Sequence, residues 1–412
     1  MLTTDSFSKR SVWITRYIAF CAVGIMVLVR WNFPGVLLLS HLYAAVYFFK
    51  DINWLLASIS SNNKIKEISY LSLMFIGWCF VVYTMNSGDA GGIVFALKPL
   101  ISGVVLNYLL GLYFGIAFLG QSNYGREYTF RKYKTLMFLL FAFMLFIVLN
   151  TEWWGHWLLL RFDEKYQSYY QTISGYLGRF LLMGVFICVA NALNRNNGKR
   201  LFFIFLCSLA FGFFSIIVGS KKEPLLFILI AILIGAKVVN FKNIIAAVVA
   251  FFAVFIGFNW EKMSFSLSLR IFEDIERSVM SRIAIVQHDY VAQLERSGLL
   301  GNPYAHDTLG VEYAHSFSLS LFSATGIVGT IIFILFLGFL CLAIIKRKYY
   351  AFFMVMMIAF MISNIATFFD WIIVWFLFGL GTSLLIKQPS GGNSDVELNQ
   401  SNKEVSSGVE VV

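Results

Sequence analysis

Apolar runs of about twenty residues recur along the chain and are separated by short polar stretches. A bilayer core of about 30 Å needs roughly 20 apolar residues per helix, so each run predicts a membrane-spanning helix. We predict about twelve spans, at 12–29, 33–49, 68–86, 93–120, 135–151, 173–193, 201–219, 224–239, 243–258, 316–345, 349–367 and 370–386. The spans at 93–120 and 316–345 are longer than needed, so we expect them to tilt or break. The pattern predicts an all-α polytopic membrane protein with one transmembrane domain, residues 1–386.

The composition excludes the other classes of protein that this length allows. Hydrophobic residues make up 59% of the 412 residues and charged residues 13%, against about 25% charged in an average soluble domain. So few charges do not cover the surface of two or three soluble domains. An aromatic content of 18% argues against a disordered chain. Each of the five cysteines lies in an apolar run, so we expect neither disulfides nor a thiolate metal site.

Positive charge alternates between successive loops and predicts an orientation. Short loops on one side contain 17 Lys and Arg, whereas those on the other side contain 5. Because cytoplasmic loops accumulate these residues, we predict cytoplasmic termini and an extracytoplasmic loop at 259–315. Lys9 and Arg10 precede the first span, which we interpret as a retained signal anchor. The segment 387–412 is predicted to be a disordered cytoplasmic tail. The net charge of +10 therefore indicates membrane orientation, and we expect no nucleic-acid partner.

The long loop 259–315 contains the strongest candidate for a functional cation. Apolar residues recur in it every four positions and predict an amphipathic helix over about 265–288. On this helix Arg270 and Arg277 each have a carboxylate four residues away, so both can form local ion pairs. Arg282 has no carboxylate within helical reach, which leaves its guanidinium available to phosphate oxygens. The alternative is an arginine that snorkels to lipid phosphates.

Two further features lie near the end of this loop. The segment 298–303 is rich in glycine and predicts a turn. Glu312 and His315 are three residues apart, directly before the span 316–345, so the carboxylate can orient the imidazole and favour its protonated form. The alternative is a histidine that marks a helix end at the interface. The histidines of the loop lack the spacing of a metal site, and we expect no metal.

Basic residues elsewhere are predicted to reach the same extracytoplasmic face. Lys221 and Lys222 precede Pro224, which suits the first position of a helix whose N-terminus favours an anion. Arg179 lies in an apolar run near its predicted outer end, where a charge is costly unless it is paired or functional. Together with Arg282, these cations fit a lipid diphosphate held at headgroup level. Contact between the lysines and ordinary lipid headgroups is the alternative.

Three segments resemble the O-antigen polymerase and O-antigen ligase group of bacterial membrane glycosyltransferases. The Ser-Arg segment of that group, which precedes a helix, is similar to 219–226, with Lys in place of Arg. Its outer-loop arginine and glycine turn are similar to Arg282 and 299–301. Its His-Asn motif and the Gly-Ile-x-Gly segment after it resemble 314–316 and 326–329, with Ser in place of Asn.

The resemblance covers about residues 200–345 and implies a GT-C-like glycosyltransferase that acts outside the bacterial inner membrane without a metal, a cofactor or a nucleotide sugar. Its donor and acceptor would be undecaprenyl-diphosphate-linked oligosaccharides, among membrane lipids, with a chain-length regulator and a flippase as protein partners. Arg282 would stabilise the departing diphosphate, and His315 or Glu312 would orient or deprotonate the acceptor hydroxyl. The residues expected to bind the substrates are Lys221, Lys222, Arg179, Arg270 and Arg277.

A polymerase that joins repeat units is the function we expect, and three alternatives stay open. A ligase would use the same chemistry with the lipid A core as its acceptor. A polysaccharide flippase or another transporter would need charged residues along many spans, whereas here they gather on one loop. The last alternative is a non-catalytic membrane scaffold.

Overall fold

The computed structural model is helical across the part of the chain that it describes. The described residues are 16–17, 35–60, 63–119, 205, 207–209, 226, 229–232, 288–311, 316–366, 369 and 371–385. The helices within them are α1 (Gly35–Ser60), α2 (Asn63–Met85), α3 (Ile93–Pro99), a π-helix (Leu100–Val105), α4 (Leu106–Leu119), α5 (Tyr290–Ser297), α6 (Ala305–Leu309), α7 (Phe317–Lys346), α8 (Tyr350–Ala366) and α9 (Ile372–Ser383). The all-α prediction is therefore confirmed for this part of the chain.

Several of these helices have the length and composition of membrane spans. Three segments are long and apolar enough to cross a bilayer, namely Ile65–Met85, Ile93–Gly115 and Phe317–Lys346. Two shorter apolar helices are Phe352–Asn364 and Ile372–Ser383. They coincide to within a few residues with five of the predicted spans, 68–86, 93–120, 316–345, 349–367 and 370–386. The predicted tail and most of the other predicted spans lie outside the described residues.

Helices α4 and α9 make the most extensive helix contact among the described residues. Gly111 on α4 lies against the backbone of α9, and Gly379 on α9 lies against the backbone of α4 at Tyr108. A Cβ at either glycine would meet a carbonyl oxygen of the other helix, so the two backbones approach because both residues lack one. Gly115 lies against Ser383 one turn further along. The two helices are therefore parallel and packed through small residues at four-residue spacing.

Large aromatic side chains fill the space between α2, α7, α8 and α9. The rings of Phe75 and Trp375 stack with their centroids 5.4 Å apart, and the ring of Phe333 lies 5.6 Å from that of Phe75. Phe317 and Phe360 meet edge to face at 5.3 Å. Lipid tails are as apolar as these rings, so the rings hold the bundle together by dispersion at close contact rather than by leaving water.

The segment from α3 to α4 changes pitch within the predicted span 93–120. Pro99 has no N–H to donate, and the π-helix begins directly after it. The side chain of Asn107 then donates from Nδ2 to the carbonyls of Ser102 and Gly103, each at 2.6 Å. These bonds provide donors for two carbonyl groups of the π-helix inside the bundle. The predicted irregularity in this span is thus a change of pitch and not the end of the helix.

The described segments place the connecting loops at two opposite ends of the bundle, since α2 and α7 are antiparallel. At one end the turn 86–92 contacts 296–302 through hydrogen bonds. At the other end Arg347 donates from Nη2 to the carbonyl of Leu385 at 2.8 Å. Loops predicted to be extracytoplasmic therefore share one end, and the basic segment 346–348 lies at the other. Which end faces the cytoplasm stays a prediction.

Gly379→Ala should destabilise the protein, because the new Cβ would meet the backbone of α4. Overpacking of this kind costs about 1–3 kcal/mol, more than the roughly 1 kcal/mol that alanine gains in helix propensity. We expect a lower melting temperature in detergent, measured by the loss of the intact protein peak in size-exclusion chromatography after heating. Gly77→Ala on α2 is the matched control, since a Cβ there meets nothing within 4 Å. Equal melting of the two variants would contradict the close contact of α4 and α9.

Candidate functional site

Helix α7 is interrupted at Gly326. The backbone there has φ 66° and ψ −168°, a conformation that glycine adopts and other residues avoid. The helix therefore consists of a first half, 317–325, and a second half that begins at Ile327. Of the two outcomes expected for the span 316–345, a tilt or a break, the structure shows the break. Such a break deprives backbone N–H and C=O groups of their helical partners, which is costly where no water can replace them.

The chain that follows α5 supplies partners for these backbone groups. The N–H of Ile327 donates to the carbonyl of Leu299 at 3.0 Å. In the other direction, the N–H of Asn302 donates to the carbonyl of Ser323 at 2.9 Å. The predicted turn at 298–303 is confirmed, and its backbone takes the place of the missing turn of α7.

Two glycines allow the backbones to approach at this point. A Cβ on Gly301 would meet the backbone nitrogen of Gly326, and a Cβ on Gly326 would meet the carbonyl oxygen of Leu299. Gly301 also has φ 90°, which disfavours any other residue. Behind the contact, Trp78 of α2 donates from Nε1 to the carbonyl of Thr325 at 2.7 Å. Three separate parts of the chain are thus joined at the break.

Asn302 connects this contact to the turn between α2 and α3. Asn302 is 5% exposed, and both polar atoms of its side chain form hydrogen bonds. Oδ1 accepts a hydrogen bond from the N–H of Tyr304 at 2.9 Å, and Nδ2 donates to Oδ2 of Asp89 at 2.8 Å. From the same turn, Asn86 donates from Nδ2 to the carbonyl of Gly301 at 3.4 Å. The bond to the carboxylate is charge-assisted and therefore stronger than one between neutral groups.

No pattern in the sequence selects Asp89, because a carboxylate at the end of a predicted span is ordinary. In the structure its Oδ2 accepts from Asn302, and its Oδ1 lies 4.0 Å from Nη2 of Arg296. The side chains of Arg296 and Asp89 are 52% and 26% exposed, so solvent screens this ion pair and it contributes little. Asp89 therefore acts mainly through Asn302. The clamp consists of Asp89, Arg296, Gly301, Asn302 and Gly326.

Helix α5 rests on the first half of α7. The hydroxyl of the buried Ser297 donates to the carbonyl of Gln293 at 2.6 Å and lies 3.2 Å from the hydroxyl of Ser323. The hydroxyl of Tyr290 donates to the carbonyl of Leu319 at 3.1 Å. Burial raises the pKa of Tyr290 to about 12, so this hydroxyl remains a donor at physiological pH. These bonds hold α5 in one position on α7.

His306 on α6 has an environment that favours the neutral imidazole. Burial lowers the pKa of His306, and this effect outweighs the opposing attraction of the Asp307 carboxylate. Nε2 of His306 lies 3.3 Å from Oδ1 of Asp307. Within the described residues no group of three or more His, Cys, Asp or Glu side chains could hold a metal ion. The expectation that the protein needs no metal stays a prediction, since His315 lies outside them.

All of the predicted catalytic and binding residues fall outside the described residues, and their roles stay predictions. They are Arg282, His315, Glu312, Lys221, Lys222, Arg179, Arg270 and Arg277. The predicted amphipathic helix over 265–288 also lies outside, apart from its last residue. The structure does place the two residues that flank 312–315. Ser316 is the N-cap residue of α7, and the N–H of Val311 donates to the carbonyl of His306 at 3.1 Å.

Comparisons with protein-family models, with curated proteins and with solved structures give no match to this chain. A functional assignment therefore depends on the residues themselves and on their geometry. Two features of the molecule bear on its function. One is the pattern of basic residues and short motifs along the chain, and the other is the broken helix with the clamp that closes it.

Gly326→Ala should open the break in α7. The substitution would place alanine in a backbone conformation that costs about 1–3 kcal/mol, and its Cβ would meet the carbonyl oxygen of Leu299. We expect faster amide hydrogen exchange at Ile327 and Asn302, measured by mass spectrometry on the detergent-solubilised protein. Gly338→Ala on the same helix is the control, because a Cβ there lies in open space. The geometry of the break would be refuted by equal protection of these amides in both variants.

Proposed function

We propose that the protein is a membrane glycosyltransferase that polymerises a bacterial surface polysaccharide. It joins undecaprenyl-diphosphate-linked oligosaccharide repeat units at the outer face of the inner membrane. The proposal includes about twelve spans in a GT-C-like arrangement, cytoplasmic termini and one long extracytoplasmic loop at 259–315. The protein partners that we propose for it are a chain-length regulator and a flippase.

The contact between Gly301 and Gly326 supports this proposal most directly. These glycines belong to two different segments that resemble the O-antigen polymerase and ligase group, and 25 residues separate them along the chain. The two segments meet backbone to backbone. The end of the loop that contains Arg282 is therefore bound to the helix that begins two residues after His315.

Chain connectivity limits how far the proposed catalytic residues lie from this contact. Consecutive Cα atoms are about 3.8 Å apart, so His315 adjoins Ser316 at the start of α7. Arg282 precedes His288 by six residues, which a fully extended chain spans in about 22 Å. Both limits are compatible with one site in which a cation and an imidazole act on the same substrate.

The proposed reaction requires stabilisation of negative charge more than any other assistance. The acceptor hydroxyl oxygen attacks the anomeric carbon of the donor glycan, the bond from that carbon to the diphosphate breaks, and the hydroxyl proton passes to a base. Arg282 stabilises the departing polyprenyl diphosphate, and His315 or Glu312 receives the proton. The remaining cations hold the anionic lipid, and they are Lys221, Lys222, Arg179, Arg270 and Arg277.

A transporter is the second candidate function, and the placement of ionisable residues bears on it. Transporters place ionisable residues along their spans, where they bind ions or substrates near the middle of the membrane. Helices α4 and α9 contain no Asp, Glu, Lys or Arg, and α7 has none before Lys346 at its end, whereas Lys98 lies within Ile93–Gly115 and α1 contains Lys50 and Asp51. The clamp instead gathers polar side chains at one end of the bundle, which is the location that a surface reaction needs.

Arg282→Ala should abolish long glycan chains while leaving the amount of protein in the membrane unchanged. Loss of one group that stabilises charge in a transition state lowers turnover by about 10²–10³-fold. The measurement is the ladder of glycan chain lengths from a strain whose only copy is the variant. Lys262→Ala is the matched control, since it removes a positive charge from the same loop without an assigned role. Normal chain lengths in Arg282→Ala would reject the catalytic role.

A deletion strain should distinguish the polymerase from the ligase. Without the polymerase, lipid A core bears a single repeat unit, because one unit can still be transferred to it. Without the ligase, lipid A core bears no glycan, since transfer itself is lost. We expect the single-unit product, detected by electrophoresis and mass spectrometry of the extracted lipid. Bare lipid A core would favour the ligase instead.

Reporter fusions test the proposed orientation. Fusions after Lys134 and Arg200 should behave as cytoplasmic, because these residues end loops that are rich in positive charge. A fusion after Pro303, within the segment that follows α5, should behave as exported. The readout is a pair of reporters that are active on opposite sides of the membrane. The reverse pattern would place the clamp in the cytoplasm and end the proposal for an extracytoplasmic enzyme.

A further inference from the structure

We infer that Asp89 is a positioning residue for the proposed glycosyl transfer, a role that rests on the function proposed above. Through Asn302 it fixes the segment 288–311 against the broken helix. The carboxylate belongs to the turn between α2 and α3, 213 residues away from Asn302 along the chain. Asp89 is therefore proposed to fix the position of the segment 288–311, which lies between the proposed catalytic residues along the chain. It does not itself touch the substrate.

The hydrogen bonds of Asn302 are arranged so that Asp89 completes them. The backbone N–H donates to Ser323 on α7, and Oδ1 accepts from the backbone of Tyr304. The carbonyl accepts from the N–H of Ala305 at 3.3 Å, and Nδ2 donates to Asp89 at 2.8 Å. Because the residue is 5% exposed, losing Asp89 would leave a buried amide without its acceptor. The loss would destabilise the turn at 298–303, which closes the break in α7.

The same carboxylate faces both sides of the glycine turn. Arg296, in the last turn of α5, lies 4.0 Å from one of its oxygens. Asn302, beyond Gly301, donates to the other oxygen. The side chain of Asp89 thus contacts both the end of α5 and the segment that leads to α6. Rotation of α5 relative to this turn would break one of the two contacts.

Positioning matters for this reaction because its proposed catalytic groups belong to a long loop. A misplacement of about 1 Å in a reacting group can lower a rate by about 10²-fold. The stabilising contacts of the bundle lie elsewhere, in the aromatic cluster around Trp375 and in the contact of Gly111 with α9. Loss of Asp89 is therefore expected to loosen the clamp locally and to leave the bundle folded.

The first measurement is amide hydrogen exchange in the full-length protein. Asp89→Ala should accelerate exchange at Asn302 and Ile327 by about tenfold or more, the effect of losing a charge-assisted hydrogen bond. Exchange in α4 and α9 should not change. Glu295→Ala is the matched control, because it removes an exposed carboxylate from α5 beside Arg296. Unchanged exchange in Asp89→Ala would overturn the inference.

An exchange of the two side chains provides a rescue. Asn302→Asp alone would bring two carboxylates together and should loosen the clamp at least as much as Asp89→Ala. Combining it with Asp89→Asn reverses donor and acceptor, so the hydrogen bond forms again and the new carboxylate still accepts from the N–H of Tyr304. The double variant should therefore restore slow exchange. A double variant that exchanges as fast as Asn302→Asp alone would contradict the proposed geometry.

The second measurement is glycan chain length per molecule of membrane-embedded protein, in a strain with one copy of each variant. Asp89→Ala should reduce long chains by about tenfold or more, and the double variant should restore them. Normal chains in Asp89→Ala, with Arg282→Ala inactive, would overturn the positioning role and leave the proposed function intact. Long chains that persist in the deletion strain would instead reject the proposed function, and the positioning role would fall with it.

Discussion

Hydrogen bonding of the backbone without water is the constraint on which this structure depends. Inside a bilayer each N–H and C=O group needs a partner within the protein, and a helix provides these partners except where it stops. Helix α7 stops at Gly326, and the missing partners come from Leu299, Asn302 and Trp78. The broken helix, the segment after α5 and helix α2 therefore form one unit, because none of them has its polar groups satisfied without the others.

The same constraint explains why glycine occupies the closest approaches. Backbones that exchange hydrogen bonds or pack against each other in lipid must come nearer than a Cβ allows. Gly301 and Gly326 meet in this way at the break, and Gly111 and Gly379 meet in this way between α4 and α9. Elsewhere in the bundle, large rings such as that of Trp375 fill the wider gaps. Glycines thus lie where backbones are in contact, and aromatic side chains pack where the helices are further apart.

A rigid end of the bundle is what the proposed chemistry needs. Groups that stabilise a departing diphosphate act best when they are already in place before the bond breaks, and a free loop of some fifty residues would lose much entropy in reaching that arrangement. The clamp holds the last part of this loop, through Asp89 and Asn302, beside the helix that begins at Phe317. The segment that ends at Val311 and the helix that begins at Phe317 flank the proposed catalytic residues Glu312 and His315 along the chain.

Hydropathy along the chain was enough to predict an all-α membrane protein and the positions of α2, α7, α8 and α9, and a glycine-rich sequence predicted the turn at 298–303. The formation of a helix or a turn depends mainly on residues close together along the chain, so the local sequence predicts it. The unusual length of the span 316–345 predicted a tilt or a break without choosing between them, and it did not predict the place of the break, because α7 contains three glycines. Gly338 lies in open space and stays helical, whereas Gly326 meets the segment after α5.

Only the tertiary structure revealed the partners of Asp89. Its partners Arg296 and Asn302 are more than two hundred residues away along the chain, and a carboxylate at the end of a span has no local feature that distinguishes it. A hydrogen bond between distant segments depends on how helices pack against each other. That packing is decided by close contacts of backbone and side chains, and the hydrophobic pattern of each helix alone does not specify them.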